Sequence, residues 1–366
     1  MSTLPHRQPS NEIGVELKGI VKHFGDSVAI DQLDLQVHEG EFFSLLGPSG
    51  CGKTTTLRIV AGFEQPTTGS VSIRQRDVTA LPPYQRNFGM VFQNFALFPH
   101  LTITQNVAFG LKMRKVDAAA AARKVEAALE LVSLAGFGKR YPRELSGGQQ
   151  QRVAIARAIV FEPDVLLLDE SLSALDKVLR EQMQVELRTL QRRLGMTTIF
   201  VTHDQEEAMT MSDSIAVMQA GRIQQLGAPR DVYERPANEF VATFLGAANV
   251  IEGRLAGREA DADLIEVFGR TCPVPASGDA RSAGSALKLA LRPENLFLSD
   301  AGSGVPATLT NVVYKGAQTQ VFTDIAGQAI VMDLPTQKLS GELVPGQRVH
   351  IGWDPKHLVP LHGEPA

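Results

Sequence analysis

The sequence has little cysteine and no long apolar run, and both shortages narrow the kinds of protein it can encode. Its 366 residues include two cysteines, Cys51 and Cys272, and the first lies in a glycine-rich loop where a disulfide would block any ligand. This usage indicates a reducing compartment. No uncharged apolar stretch approaches the roughly 18 to 20 residues of a spanning helix, and residues 1–12 lack a signal-peptide core. We therefore expect any membrane contact to be made through partner proteins.

An excess of basic residues is also missing. The chain has 36 Lys and Arg against 40 Asp and Glu, a formal net charge of -4, which argues against nucleic acid as a partner. Hydrophobic residues at 43% and charged residues at 21% are typical of globular proteins. The length is more than one ordinary domain needs and suits two.

The first part of the chain predicts strands and then a glycine loop that opens a helix. Val15–Lys22, Leu33–Val37 and Phe42–Leu46 are β-rich segments separated by turn signals. The loop Gly47–Thr54 follows the third of them, and Thr55–Ala61 is predicted to be a helix. A strand, a glycine loop and a helix therefore follow one another.

The middle of the chain predicts an α/β core. Ala118–Leu134 and Gln149–Val160 have the composition and spacing of helices, whereas Val165–Leu168 and Thr197–Val201 are short apolar runs typical of buried parallel strands. Beyond Gly246 this alternation ends.

The remainder predicts a second, all-β domain. Its predicted strands lie between turn-forming residues. We therefore expect an α/β domain over residues 13–246 and a small, all-β, OB-like barrel over residues 247–366. The predicted strands of the second domain are Leu287–Leu291, Gln318–Thr323, Ile330–Leu334 and Val349–Trp353.

The loop after the third strand matches the phosphate-binding pattern G-x-x-x-x-G-K-[ST]. Its glycines allow successive backbone N–H groups to face phosphate oxygens, and the next helix adds its positive end. Lys53 is expected to neutralise the β- and γ-phosphates of ATP, and the Thr54 hydroxyl to bind Mg²⁺. A chance glycine-rich turn is the alternative, which the flanking strand and helix disfavour. The predicted contacts are Gly47, Pro48, Ser49, Gly50, Cys51, Gly52, Lys53, Thr54 and Thr55.

Two acids follow the apolar run at Val165–Leu168. At the carboxyl end of a parallel strand, Asp169 is suited to the Mg²⁺ shell and Glu170 to polarising the attacking water. If the pair stood alone, a solvated acidic turn would be the favoured explanation; beside the phosphate loop, the metal and water roles are favoured.

A second anion-binding helix terminus is predicted at Leu145–Arg152. Ser146 is placed as an N-cap, and Gly147 and Gly148 expose the backbone at the positive end of the helix. One domain holds one triphosphate, so this terminus requires another chain. By physical reasoning alone, an ordinary capped helix is an equal alternative.

The stretch Leu145–Gln149 resembles the signature sequence of ABC ATPases, and further markers stand in that family's order from about residue 15 to 246. The resemblance implies that Phe24 stacks on adenine, that Gln93 reaches Mg²⁺ and water, and that His203 contacts the γ-phosphate. It also implies that Ser173–Asp176 touches a partner subunit. The family usually has proline where this chain has Ser171, which leaves the catalytic groups in place.

The resemblance implies a homodimer with two ATP molecules at its interface. Each nucleotide would be held by Lys53 of one copy and by the signature of the other, whose contacts would be Ser146, Gly147, Gly148 and Gln149. The family works with two membrane-spanning permease subunits and a solute-binding protein, at the cytoplasmic face of the inner membrane. The permease would dock near Asn94–Leu101, where Phe95 and Phe98 are either docking residues or core.

The subtype is indicated by the second domain. Arg292-Pro293-Glu294, with Val349–Trp353, is similar to the C-terminal barrel of bacterial importer ATPases, and Leu81–Met113 is similar to polyamine importers. Other solutes, such as ferric iron, phosphonate, sugar or sulfate, stay open. A soluble ABC ATPase, a GTPase and a non-catalytic sensor are less favoured, because the chain has one cassette, no N-K-x-D motif and a full catalytic set.

Overall fold

The computed structural model describes residues 10–259, 262–275, 282–300, 303–339 and 341–362. Residues 1–9, part of the segment inspected for a signal peptide, lie outside them. The chain forms two compact units, Met1–Pro229 and Arg230–Ala366. The contacts therefore place the segment from 230 to 246 with the second unit, whereas the domain boundary after Gly246 stays a sequence prediction.

Within the described residues, the first unit combines strands and helices. Its strands are β1 Ile13–Phe24, β2 Ser27–His38, β3 Phe42–Leu46, β4 Thr68–Ile73, β5 Arg76–Asp77, β6 Phe88–Val91, β7 Val165–Asp169, β8 Thr197–Thr202, β9 Ser214–Gln219 and β10 Arg222–Gly227. Its helices are α1 Lys53–Ala61, α2 Ile103–Met113, α3 Ala118–Leu131, α4 Gly147–Ile159, α5 Lys177–Leu194 and α6 Gln205–Met211.

A six-stranded sheet forms the centre of the first unit, in the order β10-β9-β3-β8-β7-β6. The pairs from β9 to β6 are parallel, and β10 is antiparallel to β9. The central strands β3, β7 and β8 are mostly apolar and are buried on both faces except at Asp169, as expected for parallel strands covered by helices. A separate antiparallel sheet has the order β2-β1-β4-β5.

The register of the parallel strands brings four loops to one edge. Leu46 of β3 pairs with Thr202 of β8, Val201 pairs with Asp169 of β7, and Leu168 pairs with Val91 of β6. The residues that follow these four strand ends therefore lie side by side, because parallel strands present their carboxyl ends at the same edge.

Helix α5 illustrates how local sequence sets an element. Asp176 caps it by accepting a hydrogen bond from the Leu179 N–H at 3.0 Å, and Gly195 ends it with a φ of 60°. Met183 and Leu187, one turn apart, are buried on the same face.

In the second unit, α7 Pro229–Glu234, which begins at the unit boundary, and α8 Glu239–Phe244 precede two five-stranded antiparallel sheets. Alternating buried residues of both sheets form one apolar core. The sheet orders are β13-β12-β11-β14-β20 and β15-β19-β16-β17-β18. The strands are β11 Asn249–Arg258, β12 Ala262–Val267, β13 Arg270–Pro275, β14 Ala286–Leu291, β15 Leu296–Ser299, β16 Val305–Tyr314, β17 Gln318–Ile325, β18 Gln328–Pro335, β19 Arg348–Trp353 and β20 Val359–Pro360.

The predicted fold class is confirmed: an α/β unit with parallel and antiparallel sheets precedes a unit in which two short helices lead into two antiparallel β-sheets. Two helix starts differ from the sequence prediction. Helix α1 begins at Lys53 rather than Thr55, and α4 begins at Gly147 rather than Gln149. In α4 the two glycines form the first helical turn, a position that intrinsic helix propensity disfavours for glycine. In α1 the last two residues of the loop motif, Lys53 and Thr54, form the first turn after Gly52 at the N-cap.

Candidate functional site

The loop between β3 and α1 is shaped by close backbone contacts. A Cβ on Gly47 would lie 2.3 Å from the Met218 carbonyl oxygen, and a Cβ on Gly52 would lie 2.6 Å from the Ala29 carbonyl oxygen. Gly50 and Gly52 also have φ values of 80° and 107°, which favour glycine. The loop therefore needs glycine at these three positions for physical reasons.

Lys53 lies inside this loop and is almost fully buried. Its Nζ donates to the carbonyl oxygens of Gly47 at 2.7 Å and Pro48 at 2.8 Å. The ammonium group is therefore held within the loop by two backbone carbonyl dipoles, with the Cys51 sulfur 3.8 Å away. Cys51 is also buried, and burial raises the pKa of its thiol.

Thr54 and Asp169 meet across the sheet edge. The Thr54 hydroxyl donates to Oδ1 of Asp169 at 3.3 Å. Burial raises the pKa of Asp169 above its ordinary value, and the neighbouring charge of Glu170 adds to the shift, whereas the Thr54 hydrogen bond opposes it. A hydroxyl and a partly desolvated carboxylate, both hard oxygen donors, suit a magnesium ion.

Glu170 stands at a strained point of the backbone. Its φ is 44°, which is uncommon for a residue with a side chain, and its N–H donates to the Val201 carbonyl oxygen at 3.0 Å. Its Oε2 lies 3.4 Å from Nδ1 of His203. Ser171, where the ABC family usually has proline, is buried, and its hydroxyl has no hydrogen-bond partner among the described residues.

Gln93 and Ser173 form a contact that the sequence did not predict. The Gln93 side-chain amide donates to the Ser173 hydroxyl at 3.3 Å, and that hydroxyl donates to the Glu170 carbonyl oxygen at 2.8 Å. A hydrogen-bonded chain therefore runs from the loop after β6 to the loop after β7. No sequence signal identified Ser173 beyond its place in the Ser-Ala-Leu-Asp segment.

The second predicted anion site has the geometry of an open helix terminus. Ser146 accepts from the Gln149 N–H at 3.4 Å, and the Gln149 side chain accepts from the Ser146 N–H at 3.0 Å, a capping box. Ser146 and Gly147 are exposed, and Gly148 packs so closely that a Cβ would lie 3.0 Å from the Leu179 side chain.

Phe24 ends β1 and is 48% exposed, with the Lys22 ammonium 4.7 Å from its ring centre. An exposed aromatic ring beside a cation is available for stacking on a flat ligand. Ser49 and Gly50 are exposed, and Pro48, Thr54 and Thr55 are partly buried.

The loop after Gln93 contains two phenylalanines, Phe95 and Phe98, for which the sequence left core and docking roles equally open. Phe95 is buried in the helical core, whereas Phe98 is half-buried and packs its ring 4.6 Å from that of Phe109, which is 37% exposed. Phe95 is therefore core, and the exposed aromatic surface is formed by Phe98 and Phe109. Arg157, which no motif identified, holds this loop by donating to the Phe95 and Ala96 carbonyl oxygens at 2.7 Å each.

The edge of the parallel sheet thus joins Lys53, Thr54, Asp169, Glu170, His203 and Gln93, all of which were predicted site residues. A buried ammonium, a hydroxyl–carboxylate pair and a carboxylate beside an imidazole together provide charge neutralisation, metal ligands and a base.

No helix within the described residues is both long and apolar enough to cross a bilayer.

Comparison with known proteins gives the same assignment. Residues 30–173 match the ABC transporter family, and residues 289–361 match the TOBE domain family. The chain is 48% identical over 362 residues to the spermidine/putrescine import ATP-binding protein PotA of Rubrobacter xylanophilus, covering 98% of this chain and 96% of that protein. It is 51% identical over 324 residues to PotA of Photobacterium profundum, covering 87% of each.

A solved structure also matches the first part of the chain. It is a dimeric, post-hydrolysis ATP-binding cassette bound to ADP and Pi, with 33% identity and a TM-score of 0.53, covering 59% of this chain and 99% of the cassette. With the sheet-edge geometry and the near full-length relatives, this match extends the sequence resemblance to the fold. The chain therefore belongs to the ATP-binding proteins of the ABC transporter family and is an ATPase.

Proposed function

We propose that this chain powers the import of a polyamine, spermidine or putrescine, by hydrolysing ATP at the interface of two copies. The observation that carries the proposal is the convergence of Lys53, Asp169, Glu170 and His203 at one edge of the parallel sheet, where Glu170 and His203 are 3.4 Å apart. Such an arrangement supplies charge stabilisation and a base for in-line phosphoryl transfer.

In this proposal Lys53 and the surrounding N–H groups bind the phosphates, and Phe24 stacks on adenine. Glu170 polarises the attacking water, and His203 contacts the γ-phosphate. Gln93 gives up its hydrogen bond to Ser173 and contacts the metal and the water instead. The conformation at Gln93 supports this role, because its amide makes one long hydrogen bond of 3.3 Å and its side chain is exposed.

Magnesium fits the residues present. Thr54 and Asp169 place a hydroxyl and a carboxylate 3.3 Å apart, and both are oxygen ligands. Among the described residues no group of three or more His, Cys, Asp and Glu side chains forms a metal cage. That agrees with a Mg²⁺ ion bound by one or two side chains and completed by the phosphates of ATP.

The proposal uses two copies because the exposed helix terminus at Ser146 and Gly147 suits an anion that is held by another chain. The backbone N–H groups of Gly147 and Gly148, at the positive end of α4, would contact the γ-phosphate bound by the partner's phosphate loop. The similar cassette is described as dimeric, which supports the same arrangement here. ATP then joins the two copies, and hydrolysis releases them.

The partners in this proposal are two membrane-spanning permease subunits and a solute-binding protein. The chain would lie on the cytoplasmic face of the membrane, with contact through the permease alone. Phe98 and Phe109 provide an exposed aromatic surface next to Gln93, which suits a short helix of the permease. The names of the relatives from Rubrobacter xylanophilus and Photobacterium profundum support a polyamine as the solute.

The direct test is a reconstituted transporter. We would place the chain and its copurified permease subunits in proteoliposomes, add the solute-binding protein, and measure phosphate release with spermidine, putrescine, ferric iron, phosphonate, sulfate or maltose. We expect spermidine or putrescine, and none of the other solutes, to stimulate phosphate release. Stimulation by another solute instead would overturn the substrate, and absence of phosphate release in every condition would overturn the ATPase role.

A further inference from the structure

One arginine outside the predicted motifs joins two loops of the site. Arg180 lies in the first turn of α5, and its Nη2 donates to the Leu175 carbonyl oxygen at 3.0 Å and, more weakly, to the Ser173 carbonyl oxygen at 3.4 Å. These two carbonyls belong to the loop that follows Glu170. The guanidinium therefore holds the backbone of this loop in place, because both of its contacts there are with main-chain carbonyl oxygens.

The same guanidinium faces the loop and helix that follow His203. Its Nη1 donates to Oδ2 of Asp204 at 3.3 Å, and its Nε lies 3.8 Å from Oε1 of Glu207. Asp204 uses its other oxygen to cap α6, accepting from the Glu206 N–H at 2.8 Å. Asp204 is therefore held on both sides, and the residue directly before it is His203.

Glu207 strengthens this anchor because it is almost fully buried. It is 2% exposed, its Oε2 accepts from the Thr202 hydroxyl at 2.5 Å, and Arg180 is the cation that faces its other oxygen. A buried carboxylate requires such a partner, so Arg180 cannot leave without a cost in free energy. The Nε of Arg180 is itself buried with no hydrogen bond among the described residues, which makes the Glu207 contact ionic.

These contacts close a ring around the reacting groups. The Ser173 hydroxyl donates to the Glu170 carbonyl oxygen, and the Glu170 carboxylate lies 3.4 Å from His203. Starting at Glu170, the ring continues through Ser173 to Arg180, then through Asp204 to His203, and back to Glu170. Arg180 is the member of this ring that joins the two loops on the side away from the reacting groups.

We propose that Arg180 is a positioning residue that holds the Glu170 loop and the His203 loop in one fixed relation and thereby sets the rate of ATP hydrolysis without touching the nucleotide. The planar guanidinium is required because it reaches carbonyl and carboxylate oxygens in several directions at once, which a lysine ammonium does not do. The inference rests on the roles proposed above for Glu170 and His203.

The test compares Arg180→Lys and Arg180→Met with the wild-type chain. A misplacement of reacting groups by about 1 Å costs roughly 100-fold in rate, so we expect kcat to fall about 10- to 100-fold while the KM for ATP changes less than about twofold. Lysine is expected to restore little of the loss. Wild-type kcat in Arg180→Lys would overturn the positioning role of the guanidinium.

Arg188→Lys is the matched control. Arg188 lies on the same helix, forms an ion pair with Asp213 and stands 5.5 Å from the centre of the Phe42 ring, away from the predicted site residues. We expect it to lower the melting temperature at least as much as Arg180→Lys does, with kcat unchanged. Equal losses of kcat in both variants would make the effect one of general stability and would overturn the inference.

A double-mutant cycle measures whether the losses of kcat at Arg180 and Asp204 are coupled, which a general loss of stability would not produce. Asp204→Asn keeps an oxygen to cap α6 but removes the charge that faces Arg180. If both residues act through their shared contact, the double variant Arg180→Met/Asp204→Asn has nearly the kcat of the worse single variant. Fully additive losses would overturn the ring. Absence of phosphate release by the wild-type chain would instead overturn the proposed function itself.

Discussion

The Nδ1 atom of His203 lies 3.4 Å from Oε2 of Glu170, because the two residues directly follow the ends of neighbouring parallel strands, β8 and β7. The Glu170 backbone is held in the left-handed region, and its N–H donates to Val201, two residues before His203. The strained backbone thus aims the carboxylate at the edge where the phosphate loop opens. Such strain at a reacting group is maintained by the surrounding structure.

Glu170→Gln is expected to keep ATP binding and lose turnover. Glutamine has the same shape but cannot accept a proton, so phosphate release should fall about 100- to 10,000-fold. Binding is measured with a fluorescent ATP analogue, and dimer trapping by light scattering with ATP. Glu162→Gln, which changes an exposed carboxylate paired with Lys124, is the control and should hydrolyse normally. Rapid hydrolysis by Glu170→Gln would contradict the role of this carboxylate.

Gly47→Ala is expected to destroy nucleotide binding through crowding. The added methyl group would lie 2.3 Å from the Met218 carbonyl oxygen and 2.7 Å from the Cys51 sulfur, and such overpacking costs about 1 to 3 kcal/mol. Gly136→Ala is the control, because Gly136 has a φ of 81° and open space around it, so alanine costs roughly 1 to 2 kcal/mol there. Similar thermal destabilisation with binding lost only in Gly47→Ala is the expected result.

The stability of the chain should carry a pH dependence from Glu207. Burial raises the pKa of Glu207 in the folded chain above the value in the unfolded chain, so the folded state holds the proton more tightly. The stabilisation of the folded chain that comes from protonated Glu207 is therefore fully present below the ordinary pKa of 4.5. It is lost as the pH rises through the raised pKa.

Glu207→Gln removes this titration. The free energy of unfolding of the wild type, relative to that of Glu207→Gln, is expected to fall as the pH rises from the ordinary pKa through the raised one. Urea unfolding across that range measures the difference. Glu206→Gln, at an exposed neighbouring position, is the control variant; an equal trend in both variants would refute the assignment to Glu207.

Arg292 is expected to stabilise the second unit. Its guanidinium donates to the carbonyl oxygens of Tyr233, Ala242, Leu245 and Gly246, and it stacks 3.9 Å from the centre of the Tyr233 ring. Lysine cannot reproduce this fork, so Arg292→Lys should cost about 2 kcal/mol or more.

Hydrogen exchange of residues 229–246 and the unfolding midpoint measure that loss. Arg254→Lys, at an exposed position of β11, is the control and should leave both measurements unchanged. If Arg292→Lys exchanges as slowly as the wild type, the guanidinium contributes little to the packing of α7 and α8.

Local signals in the sequence were sufficient for several elements. Phe42–Leu46 is predicted and observed with the same ends, and Val165–Leu168 and Thr197–Val201 each gain one residue. These strands are short, mostly apolar and rich in residues that favour strands, so their composition predicts burial on both faces. The family assignment is confirmed by relatives that match nearly the whole chain.

Other features depended on neighbours that no local pattern identifies. Phe95 and Phe98 have the same chemistry and nearly the same place, yet one is core and the other is half-exposed, because Arg157 from another helix fixes the loop. Arg180 resembles any charged residue in the first turn of a helix. The positioning role proposed for Arg180 depends on its contacts with carbonyl and carboxylate oxygens of two separate loops.

The sequence by itself determined the phosphate loop, the capped helix at Ser146 and the acids at the end of β7, because each depends on residues within a few positions of one another. The tertiary structure decided which of these groups meet. Strand register alone brings Gln93, Glu170 and His203 to one edge, since parallel strands far apart in the chain become neighbours only when the sheet forms.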